Sequence, residues 1–181
     1  MKFAGTAALV SLRRIGAAVL ALLLIGYVWP GEAGPVSQPL SKVLRSPATY
    51  QAAEEVSLHA QHSETDEESN IRLNVPVHSD MDHMSVCCLH ANILDFYVNT
   101  IFNHLSDQYP RLHQLHSDLS RASLDLKEHG CNLVRYRDHQ HVVQFRNKLA
   151  KMEHGRGLIK AMSEMNILFA YLHDSCVSAT H

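Results

Sequence analysis

Between residues 89 and 172 the apolar positions recur every three or four residues, in four separate runs. Leu89, Ile93, Tyr97, Ile101 and Leu105 are spaced by four, with Phe96 beside them. Leu112, Leu115, Leu119, Ala122 and Leu126 alternate three and four, as do Val142, Phe145, Leu149 and Met152. Ile159, Met162, Met165, Phe169 and Leu172 make the last run, widened by Leu168. Each run lays one apolar stripe along an α-helix. β-branched residues are scattered and hairpin dipeptides such as Asn-Gly are missing, so no strand is expected. The pattern predicts an all-α chain whose amphipathic helices bury their stripes against one another as a bundle.

The breaks between runs fit this reading. Residues 107–110, ending in Pro110, part the first run from the second. Gly130 stands where a helix C-cap belongs, with Cys131 just past it. Gly155 and Gly157 divide the third run from the fourth in "EHGRGL", a gap so short that those two helices must be neighbours. A weaker helix is expected over residues 48–59, where Ala52, Ala53, Glu54 and Glu55 favour it. Between it and the first strong run lies "AQHSETDEESNIRLNVPVHSDMDH", polar, acidic and carrying a Val-Pro turn. Connections of this length inside compact domains are usually functional or disordered. Asp66, Glu67 and Glu68 within it read as a solvated charge run, with nothing to hold a geometry or shift a pKa.

The front of the chain has a different character. Lys2, Arg13 and Arg14 precede an uncharged run over residues 15–29, then a Pro-Gly break and small residues. Gly31 and Ala33 occupy the −3 and −1 places of a cleavage site, so residues 1–33 read as a secretory signal peptide. The apolar run is about 15 residues, short of the roughly 20 a membrane-spanning helix needs. Residues 34–181 are then one helical domain of ordinary size. Cleavage removes three positive charges and one negative (Glu32), taking the net charge from −2 to about −4. A balance without a strongly basic face argues against nucleic acid and against membrane insertion after cleavage.

Secretion changes the meaning of the four cysteines, Cys87, Cys88, Cys131 and Cys176. In an oxidising compartment they read as two disulfides. A bridge between the vicinal Cys87 and Cys88 would strain the ring across one peptide bond. On the residues alone the two other pairings stay open, and both tie the vicinal pair to distant parts of the chain.

Candidate chemistry is sparse. The chain has 14 histidines. The pairs His113/His116, His59/His62 and His139/His141 lack the H-E-x-x-H spacing of a helical zinc site, so exposed helix faces are expected and no metal or cofactor. There is no nucleophile elbow, phosphate loop or dinucleotide fingerprint, and bridged cysteines leave no thiolate, so the chain does not read as an enzyme. No N-x-S/T sequon is present. Lys160 and Glu164 lie four apart on a face turned from Ile159, Met162 and Met165. They read as a surface ion pair or as the charged rim of an interface.

Two segments, "MSVCCLHANILDFYVNTIF" and "GRGLIKAMSEMNILFAYLHDSC", resemble helices of the interleukin-10 family of helical cytokines. The "IKA-x-x-E-x-x-ILF" core and Cys176 are the most specific part, and "AEEVSLH" followed by "NIRLNV" is similar to the family's first helix and the loop after it. The likeness covers most of residues 48–177. It implies a compact, disulfide-stapled bundle of about six helices and a secreted ligand without catalysis. Such a ligand bridges two class II cytokine receptor chains, a high-affinity alpha-type chain and the interleukin-10 receptor beta-type chain. It signals through Janus kinases and STAT factors, and a soluble decoy receptor can also bind it. Position by position, Arg72 matches the family's loop arginine and Lys160 and Glu164 its charged pair, while Asn166 stands where an acid is common. The resemblance also implies Cys87–Cys176, which leaves Cys88 for Cys131. The vicinal pair itself looks like the family's interleukin-20 subgroup. The glycosylated stretch that engages the beta-type chain is replaced by "SPATY", so no residues are assigned there. Two competing expectations are a family ligand for different receptors, and a secreted histidine-rich helical protein that binds metal or kills microbes.

Overall fold

The computed structural model describes residues 40–77, 81–105, 109–153 and 155–177, and the signal-peptide reading of residues 1–33 lies outside them. Eight α-helices and no strand occur among the described residues: α1 Pro47–Gln61, α2 Asp66–Ser69, α3 His83–Phe96, α4 Leu112–Glu128, α5 Leu133–Tyr136, α6 Gln140–Lys151, α7 Arg156–Ser163 and α8 Met165–Val177.

Ser46 caps α1, its side chain accepting the Thr49 N–H, and Pro47 opens the first turn where its missing N–H costs nothing. The buried stripe of α1 is small (Ala52, Ala53, Val56, Ser57, Ala60), so α4, α7 and α8 can pack close against it. Helix α3, capped by Asp82, is buried from Cys87 to Leu94 and forms the central rod, lying along α8, α4 and α6. Every apolar position expected on α4, from Leu112 to Leu126, is buried.

The first strong run departs from a plain helix. After Phe96 the chain widens into a π-turn over Tyr97–Ile101 and then tightens into a 3₁₀ turn over Phe102–His104. Side chains spaced by four drift about 40° per step around an α-helix. The wider turn offsets that drift, and Tyr97, Ile101 and Phe102 all end in the core.

Helix α4 ends on Gly130, whose φ of 97° suits a residue without Cβ. The Cys131 N–H donates to Leu126 O (3.0 Å) and the Gly130 N–H to Lys127 O (3.1 Å), the two bonds of a Schellman cap. That turn delivers Cys131 to Cys88, with Cα atoms 5.0 Å apart, while Cys87 meets Cys176 at the end of α8, 4.9 Å apart. The pairing implied by the family resemblance is the one formed. Both bridges converge on the first turns of α3. Between α6 and α7, Gly157 lets the helices touch: a Cβ there would sit 2.6 Å from Leu149 O.

Candidate functional site

The last run was expected to make one helix, but it breaks between Ser163 and Glu164 into α7 and α8. The break is held by groups from elsewhere. Tyr97 Oη donates to the Ala161 carbonyl (2.9 Å), which also accepts the Glu164 N–H (3.2 Å), Gln61 Nε2 donates to Ser163 O (3.0 Å), and the Asn166 N–H to Ser57 Oγ (2.9 Å). These bonds satisfy backbone groups that a continuous helix would have paired internally. Burial pushes the Tyr97 phenol far above its ordinary pKa, so it stays a donor.

Lys160 and Glu164, read from sequence as a surface pair or an interface rim, are instead buried, at 5% and 3% exposure. The α7–α8 break turns them inward beneath residues 64–74. Lys160 Nζ sits between Glu64 Oε1 (3.2 Å) and Glu164 Oε1 (3.3 Å). The Glu164 carboxylate also accepts the backbone N–H groups of Leu73 (3.0 Å) and Asn74 (2.7 Å). Asn74 Nδ2 in turn donates to Tyr97 Oη (3.2 Å). Charge-assisted bonds of this kind are among the stronger ones in proteins.

Within the acidic connection Glu68 is buried, against the solvated reading, while Asp66 and Glu67 are exposed as expected. Thr65 and Glu68 form a reciprocal capping box that starts α2. Glu68 is held by the Arg156 guanidinium, which also donates to Ser63 O (2.9 Å). The Arg156 hydrogen bond is the largest influence drawing the Glu68 carboxyl down to about 2.

Arg72 is exposed, and Lys148 Nζ donates to its carbonyl oxygen (2.8 Å). It shares a cleft of about 420 Å³ with Glu64, Asp66, Ile71, Lys160, Glu164 and Ile167. Three of the four expected site residues therefore meet. Asn166 does not line this cleft: it is half-buried, its N–H turned to Ser57 on α1 and its Oδ1 buried without a hydrogen-bond partner. Sequence reading missed Glu64, Asn74, Tyr97 and Lys148. None of these four carried a local signature; beside them only the capping-box spacing Thr65-x-x-Glu68 did.

Among the described residues one histidine is buried, against the expectation of exposed faces, and His116, His139, His141 and His173 are half-buried. His90 is 4% exposed on α3 and stacks on Tyr171 at 5.3 Å. The Ser175 hydroxyl donates to Tyr171 O (2.6 Å), so His90 Nδ1, 3.2 Å from Ser175 Oγ, is placed as the donor to that oxygen. Burial, and then the charge of His141, pull its pKa down from 6.5 to about 4. Between those values the unfolded chain binds a proton that the folded one refuses, so the stability is whole above pH 6.5 and declines as pH falls toward 4. Urea midpoints measured from pH 7.5 to 4 should fall less steeply for His90→Leu than for the parent. Parallel slopes would contradict the neutral, buried assignment. Among the described residues no group of three or more His, Cys, Asp or Glu side chains could hold a metal, and no helix is long and apolar enough to cross a membrane.

No family model matches the chain, and no curated protein does. The crystal structure of zebrafish interleukin-22 matches with a TM-score of 0.61 at 28% identity, covering 77% of this chain and 99% of that one. The fold is that of an interleukin-22-like helical cytokine of the interleukin-10 family. In this chain the cleft joins the loop after α1 to the α7–α8 break, two segments that no helix-spacing rule would bring together.

Proposed function

We propose that the chain is a secreted signalling ligand, released by cleavage after Ala33, that engages class II cytokine receptors through the cleft around Arg72. The alpha-type partner is an interleukin-22 receptor alpha-type chain and the second an interleukin-10 receptor beta-type chain. The response runs through Janus kinases and STAT factors in epithelial defence and inflammation, and a soluble decoy receptor competes for the same surface.

The observation that carries this reading is Arg72 itself. It is an exposed cation on a loop whose backbone is bonded on both sides, by Lys148 and by Glu164. Its planar fork can hold a receptor carboxylate with two hydrogen bonds. Arg72→Glu reverses that charge without touching the core, so binding to the alpha-type ectodomain should weaken by tenfold or more, roughly the cost of losing an interface hot spot. The melting temperature should stay unchanged. Equal binding of parent and variant to a receptor-coated sensor would overturn the assignment.

A further inference from the structure

On the reading that Arg72 meets a receptor, we propose that Glu164 and Lys160 are positioning residues, which fix the shape of residues 72–74 and do not touch the partner. Among the described residues the Glu164 side chain has three partners, all within this chain: Lys160, the Leu73 N–H and the Asn74 N–H. The ammonium is enclosed between two carboxylates whose side chains are, like its own, under 10% exposed. A receptor side chain reaching either group would have to displace bonds already made.

The same bonds flank Arg72. Leu73 and Asn74 are buried with their N–H groups taken by Glu164, while Arg72 just before them is exposed. The Arg72 carbonyl is taken by Lys148 from α6. The backbone is thus bonded to α6 and to the α7–α8 break while Arg72 itself is exposed. A loop ordered before binding loses less conformational freedom on binding, which is how residues out of reach of a partner raise affinity for it.

A double-mutant cycle separates positioning from contact. Parent, Glu164→Gln, Arg72→Ala and the double variant are measured against the alpha-type ectodomain, with hydrogen exchange read at the Leu73 and Asn74 amides of the free protein. Glu164→Gln should weaken binding about tenfold, the scale of a buried charged hydrogen bond lost. It should speed exchange at both amides. In the Arg72→Ala background its effect on binding should largely vanish, because no side chain remains to present. Additive effects, or weaker binding with both amides still protected, would mean direct contact and overturn the inference while leaving the receptor reading standing. If neither Arg72→Ala nor Glu164→Gln alters binding, the receptor reading fails and the inference with it. Should Glu164→Gln not fold, Lys148→Met removes the other backbone bond at residue 72, and the same non-additivity with Arg72→Ala is expected.

Discussion

Replacing Cys88 and Cys131 together by alanine should lower the unfolding free energy by roughly 4 kcal/mol on the chain-entropy account of a cross-link. The bridge closes a separation of 43 residues, against 89 for Cys87–Cys176. Because the entropy depends on the logarithm of loop length, removing the longer bridge should cost nearly the same. Alanine is the better probe because all four sulfurs are buried and serine would bury hydroxyls among apolar neighbours. Either loss is a large share of a typical total of about 5–15 kcal/mol. Both bridges brace one helix start, so the four-alanine variant should show coupled losses and melt near body temperature. Urea unfolding followed by circular dichroism measures this. A loss below 1 kcal/mol for either pair would show that packing of α3 alone holds the node.

The stripes that built α4, α6 and α8 were legible because each is a local repeat whose burial follows from helix geometry. Gly130 was legible for a similar reason, since its cap needs only the last helical turn and the next residue. The pairing order of Cys87 and Cys88 was not. Adjacent positions on a helix start both reach inward, and only the family resemblance separated them.

The break at Glu164 left no trace in the spacing, because Met162, Met165 and Phe169 run on in register across it. It is made by Tyr97, Asn74 and Ser57, groups 64, 90 and 109 residues away from their partners in the sequence. The burial of Lys160 and Glu164 was hidden in the same way, since an i,i+4 pair looks alike on an open face and beneath a loop. Glu68 is the contrary case: Thr65 three residues earlier announced a capping box, but the surrounding acids made the segment look merely solvated.

Lys160→Met should destabilise the fold by about 3–5 kcal/mol, the range for removing one partner of a buried ion pair. Methionine nearly preserves the length and apolar stem, so the change isolates the ammonium. Without it Glu64 and Glu164 face each other as like charges with little water to screen them. For a domain of this size the melting temperature should fall by on the order of 10 °C, at 2–4 °C per kcal/mol. Arg72→Glu, at an exposed position of the same cleft, should move it hardly at all. Lys160→Met combined with Glu64→Gln should recover part of the loss, because one of the stranded charges leaves with the cation. Were Lys160→Met as stable as the parent, the two carboxylates would have to be hydrated, and the enclosed triad that orders residues 72–74 would not exist in solution.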